Sequence, residues 1–70
     1  MQFKSYTSQL QNRQKAAEFV NNALKENSEK EGFKILSLTL NTFVIPPGTI
    51  DNGYNIGGAW IEVFIVVCYK

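Results

Sequence analysis

The chain contains no histidine, one cysteine (Cys68), one arginine (Arg13) and one aspartate (Asp51). Without histidine, no Ser-His or Cys-His nucleophile–base pair can be assembled. Without histidine or a second cysteine, a zinc site with nitrogen and sulfur ligands is excluded. Cys68 has no partner for an internal disulfide. Charge of one sign is also lacking, since seven basic against six acidic residues leave a net charge of +1. Nucleic-acid binders ordinarily carry a basic excess, because phosphate contacts supply much of their affinity. No apolar run is long enough to span a bilayer, and the opening MQFKSYTSQLQ carries no secretory signal. These absences predict a non-enzymatic protein in a reducing, cytoplasmic setting, with no cofactor and no metal. They exclude a membrane partner and disfavour nucleic acid.

Seventy residues make one small domain, 1–70. A domain of this size buries only roughly 60% of the surface its unfolded chain exposes. Small folds are commonly stapled by disulfides, metals or association. Only association is open to this chain, so a homo-oligomer is expected.

What is present reads as strand, helix, strand, strand. Met1–Tyr6 alternates weakly and predicts a short first strand. Ser8-Gln9-Leu10-Gln11 fits a capping box. Ala16, Phe19, Val20, Ala23 and Leu24 then recur at helical spacing on one face. The tail KENSEKE (25–31) is polar all round, and Gly32 suits a helix C-cap. Phe33–Val44 and Ala59–Tyr69 are alternating and β-branched, the second more strongly. The expected fold class is α+β. It is a β-α-β-β chain with a three-stranded, mainly antiparallel sheet, one helix packed on one face, and a long hairpin arm between the last two strands.

Asn52-Gly53 marks the arm's tip, because a type I′ turn needs positive φ at both central positions. A regular hairpin from that tip sets Leu40 opposite Ile65, Leu38 opposite Val67 and Leu36 opposite Tyr69. The helix is expected to cover these leucines together with Ile61, Val63, Ile65 and Val67. The opposite sheet face then carries Ile35, Phe43, Trp60, Phe64, Val66 and Cys68. Such a surface on a small protein marks an interface, to which Ile35, Phe43, Phe64 and Val66 contribute with Ile50 and Ile56 of the arm. Aromatic sheet faces also serve single-strand RNA readers, but few lysines flank these aromatics. Glu62, in the middle of the strongest strand, calls for a Lys or Arg from a neighbouring subunit.

The arm, VIPPGTIDNGYNIGGAW (44–60), is the candidate ligand site. Pro46-Pro47 interrupts the ladder, and Gly57-Gly58 admits a close backbone or ligand. Tyr54 and Trp60 offer stacking surfaces. Asn52, Asn55 and Asp51 offer polar groups, and Gly57 and Gly58 offer backbone N–H donors. Arg13 is the phosphate-binding candidate, brought by a neighbour's helix. Aromatic walls with a few polar groups are what a small-molecule pocket needs.

The stretches KAAEFVNNALKEN, FKILSLTLNT and the closing VVCYK resemble the small β-α-β-β proteins of spore-forming bacteria and their phages, short sporulation-type proteins among them. The PPG…NGYNIGG arm is longer than in the shortest of these. The resemblance implies no catalytic residues. By analogy of scale, phage proteins of this size act as oligomeric sponges for nucleotide signals or as direct protein inhibitors. The expected function is sequestration of a small nucleotide-like ligand between subunits. The alternative is a protein-interaction or structural module, of sporulation type or an inhibitor of a host protein, using the apolar sheet face.

Overall fold

The most β-branched stretch of the chain forms the centre of the sheet. In the computed structural model, which describes residues 1–70, the order is β1 (Gln2–Leu10), α1 (Arg13–Asn27), β2 (Lys34–Ile45), β3 (Ile50–Asp51), β4 (Tyr54–Asn55) and β5 (Gly58–Tyr69). The main sheet runs β1-β5-β2 with both ladders antiparallel, and β3 and β4 form a separate two-stranded ribbon. The α+β, β-α-β-β architecture with its arm is the expected one. β5 is the central strand, flanked by β1 and β2, and its Val63, Ile65 and Val67 are fully buried, which suits the apolar run IEVFIVVC.

β1 runs past the expected end at Tyr6 to Leu10. Ser8 lies in the ladder opposite Val63, so the expected capping box does not form. Asn12 caps α1 instead, with its Oδ1 accepting the Lys15 N–H at 2.8 Å. Pairing out to Leu10, whose side chain packs on the core, outweighs a cap worth about 1 kcal/mol. The helix stops at Asn27, where the Ser28 hydroxyl donates to the Lys25 carbonyl. Gly32 has φ 73°, but it sits in the turn into β2 rather than at the helix end.

Ala16 and Ala23 of α1 meet Val63, Ile65 and Val67 of β5 in the core, flanked by Tyr6, Leu10, Phe19, Val20, Phe33 and Ile61. The helix packs on β1 and β5 and stands clear of β2. Two causes act together. The connection from β1 is only Gln11-Asn12, which holds α1 above β1 and its neighbour. A helix is also about 10 Å wide and strands lie about 4.8 Å apart, so one helix covers two strands. The expected cover over the β2 leucines is therefore absent.

The register differs from the expected one by two residues: Leu38 faces Ile65 and Leu40 faces Val63. At the tip, Ile50 faces Asn55 and Asp51 faces Tyr54, as a two-residue Asn52-Gly53 turn requires. The offset arises below the tip. Residues 46–49 separate β2 from β3, whereas only residues 56–57 separate β4 from β5. A turn absorbs the extra pair, with the Thr49 N–H donating to the Pro46 carbonyl at 3.3 Å. An even offset leaves every leucine on its own face. A bulge between Ile35 and Ser37 is different, because it shifts pairing by one and leaves Leu36 unpaired. Ile35 then faces Val67 on the helix-bearing side, and Lys34 faces Cys68 on the open side. Ile35 is thus not part of the open face, contrary to the sequence pattern.

The seam between α1 and β1 is polar. Asn27, fully buried, donates from Nδ2 to the Tyr6 hydroxyl and to the Ala23 carbonyl, each at 2.8 Å. Lys4 Nζ lies 2.9 Å from Glu26 Oε1 and 5.0 Å from the centre of the Tyr6 ring. The hydrogen bond from Lys4 holds the Glu26 carboxyl below its ordinary range, and the same bond raises the Lys4 ammonium above its own.

Candidate interaction site

The arm is built largely from its own hydrogen bonds. Asn52 (φ 51°) and Gly53 (φ 82°) both adopt the left-handed conformation of the expected turn. The Pro46 carbonyl accepts the Thr49 hydroxyl at 2.7 Å as well as its N–H, and the Thr49 carbonyl accepts the Ile56 N–H at 2.8 Å. Asn55 Oδ1 accepts the Gly57 N–H at 2.9 Å, the local turn that asparagine favours. The Trp60 indole N–H donates to the Ile56 carbonyl at 2.8 Å. A Cβ on Gly57 would stand 2.7 Å from the Pro46 carbonyl oxygen, so this glycine is where the arm's two sides touch.

These bonds change the reading of the arm as a ligand site. The Gly57 N–H and the Asn55 side-chain oxygen Oδ1 are committed to each other, and the Trp60 indole N–H is committed to the backbone. Asp51, Asn52, Tyr54 and Asn55 are exposed along the ribbon, while Gly57, Gly58 and Trp60 are half-buried at its base. Neither cavity of the molecule includes an arm residue. Arg13 stands apart from the arm, on the wall of a groove between α1 and β2.

That groove has a volume of about 290 Å³. Ala16, Ala17 and Val20 form its helical wall, Leu38, Leu40 and Ile61 its floor, and Arg13 and Asn21 its polar fringe. That is close to the lower end of small-molecule pockets, which start at about 300 Å³. Its floor continues along β2. Ile35, Leu36, Leu38 and Leu40 are each exposed by between 48% and 59%, although three of them lie opposite fully buried β5 residues. β2 is an edge strand, and its outer backbone groups have no partner within the chain.

The open face of the sheet is more polar than expected. Phe3 and Phe64 are exposed and Phe43, Trp60 and Val66 are half-buried, but Ser5, Thr7, Gln9, Ser37, Thr39 and Asn41 separate them. Within the chain Glu62 has polar neighbours: it faces Gln9 on one side and Asn41 on the other and accepts from Gln9 Nε2 at 3.4 Å. Of the expected interface residues, Ile50 (62% exposed), Ile35 (48%) and Phe64 (43%) are the most open. Ile56 and Cys68 are partly or fully covered. The exposed strip on the helix-bearing side was hidden in the sequence, because the alternation of Leu36, Leu38 and Leu40 is that of a buried strand. The width of a single helix was the available clue.

No helix is long and apolar enough to cross a membrane. No family model, curated protein or solved structure matches the chain.

Proposed function

We propose that this chain is a non-enzymatic interaction module, and that its working surface is β2 with the adjoining strip of Ile35, Leu36, Leu38 and Leu40. The observation that carries the reading is the half-exposure of these four residues beside an unpaired strand edge. Covering them would contribute on the order of 3–6 kcal/mol of apolar burial. That is large beside the 5–15 kcal/mol typical of a whole domain. Unpaired strand edges take partners by strand addition, in which backbone bonds give affinity and adjacent side chains give selectivity. The test compares the wild type with Leu38→Lys/Leu40→Lys by sedimentation and affinity capture. The expected result is an associated species, of itself or of another protein, that the variant loses. A wild type that stays monomeric and holds no partner overturns the reading.

A second reading keeps sequestration of a small nucleotide-like ligand between subunits. Its supporting observation is the first turn of α1, which holds Arg13 and Lys15 and no acidic residue. Helix dipoles favour the opposite distribution, and an anion there would offset the cost. The apolar groove beside Arg13 would take a base, with Tyr54 or Trp60 of a second chain stacking on it. A thermal-shift screen with nucleotides tests this: a ligand at 100 times its Kd stabilises by about 2.7 kcal/mol, and Arg13→Ala should abolish the shift. No shift with any nucleotide overturns it.

A further inference from the structure

We infer that the partner of β2 is a second copy of β2, paired antiparallel about a two-fold axis near Thr39 to give a continuous six-stranded sheet. The inference rests on the interaction reading above and names the occupant of that same surface.

The first ground is area. A compact monomer of 7.9 kDa exposes about 4,400 Å², whereas this chain exposes 5176 Å². The excess is close to the roughly 800 Å² that each partner brings to a standard interface. The radius of gyration, 14.7 Å, likewise exceeds the roughly 11 Å expected of 70 residues. The arm contributes to both excesses. Yet five of the ten large exposed apolar residues, Ile35, Leu36, Leu38, Leu40 and Val44, stand on β2 itself.

The second ground is the edge. Free edges are normally guarded by lysine, proline or a bulge. On β2 both guards, Lys34 and the bulge at Leu36, sit at one end. Ser37–Ile45 contains no charge and no proline. The other edge, β1, carries Lys4 near its start, held by Glu26 of the helix above it, and Phe3 is the only large apolar residue which that strand exposes, whereas β2 exposes five. β2 is therefore the edge left open.

The third ground is self-complementarity. A two-fold axis through Thr39 sets Leu38 opposite Leu40 of the second copy and Ser37 opposite its Asn41. No like charges meet, and the two Leu38–Leu40 pairs put apolar residues against apolar ones on the helix-bearing face. Both helices fall on the same face, so the two grooves join into one trough with an α1 on each side. Such an interface closes on itself, and the filaments that head-to-tail contacts allow do not form.

The experiment is sedimentation velocity with site-directed cross-linking of the full chain. Wild type is expected to sediment at twice the 7.9-kDa chain mass. Leu40→Lys, at a side chain already 59% exposed, is expected to give a monomer with an unchanged far-ultraviolet circular dichroism spectrum. Directly opposed strand residues lie about 4.5–5.5 Å apart, within disulfide reach. Thr39→Cys in a Cys68→Ala background should therefore give a covalent dimer on mild oxidation, and Ser5→Cys on β1 should not. If Leu40→Lys fails to fold, the cross-link decides alone. Cross-linking through Ser5→Cys but not Thr39→Cys overturns the inference, as does a dimer that Leu40→Lys leaves intact. A monomeric wild type that holds a different protein through Leu38 and Leu40 also overturns it, while the interaction reading stands. A monomer holding nothing overturns both.

Discussion

Asn27 donates to the Tyr6 hydroxyl at 2.8 Å, tying the last turn of α1 to the middle of β1. Asn27 is fully buried, and its Oδ1 has no hydrogen-bond partner. The retained side chain therefore depends on its two Nδ2 bonds. Tyr6→Phe removes one of them and should cost about 0.5–1.5 kcal/mol. Asn27→Ala removes both and opens a small void, with an expected cost of about 1–3 kcal/mol. Urea denaturation of the two single variants and the double variant checks the coupling. Full additivity would show that the bond contributes nothing.

The Lys4–Glu26 pair sets a pH window. Glu26 is depressed when folded, so its contribution is present above the ordinary carboxylate value of about 4.3 and is lost as pH falls through the lower folded value. Lys4 is raised, so its contribution is complete below about 10.4 and is lost as pH rises through the higher folded value. Glu26→Gln should therefore lower the Tm by a constant amount across neutral pH. The difference should vanish in strong acid. A difference that persists there would refute the assignment.

Gly57→Ala should disturb the arm and spare the core. The added Cβ meets the Pro46 carbonyl oxygen at 2.7 Å and Pro47 Cα at 2.9 Å, both backbone atoms that cannot swing aside. The cost expected of such crowding is about 1–3 kcal/mol. Trp60 is the only tryptophan and is hydrogen-bonded to Ile56, so its fluorescence reads the displacement directly.

Arg13→Glu separates helix stability from ligand binding. An acidic residue in the first turn should stabilise α1 by about 0.3–1 kcal/mol. The same change should abolish any nucleotide-induced thermal shift. A variant that is more stable and still shifts with nucleotide would remove Arg13 from the ligand reading.

Ile65 and Leu40 stand on the same face of the sheet with opposite burial, 0% and 59% exposed. Ile65→Ala should cost about 2–5 kcal/mol. Leu40→Ala should cost far less in a monomer and should act mainly on association. Concentration-dependent melting distinguishes the two.

The elements were largely legible in the sequence because their patterns are local. Val63, Ile65 and Val67 alternate, Ala16 and Ala23 recur on one helical face, and Asn52-Gly53 announces its turn. What the chain hid depends on competition or on counting. Ser8 had two good fates, cap and ladder, and pairing with Val63 won. The Ile35-Leu36 bulge is silent, since two adjacent apolar residues show no break in pattern. The two extra residues in Pro46–Thr49 keep every face unchanged, so apolar matching could not detect them. Within the arm, Asn55 and Trp60 were read as groups offered outward. Short-range partners at Gly57 and Ile56 claim them first, a choice settled by backbone geometry rather than residue type.

The central strand of the sheet is also the last strand in the chain. β1 and β2 do not touch, and each is joined to the sheet only through β5. As the polypeptide is synthesised, α1 can form early, but neither outer strand has a hydrogen-bonding partner until residues 58–69 have left the ribosome. Gln2 waits for Tyr69. Topologies dominated by such distant pairings fold slowly, and waiting strands are prone to pair with the wrong chain. Until β5 arrives the sheet of the nascent protein is unmade, and β5 acts as the keystone that converts two loose flanks into a fold.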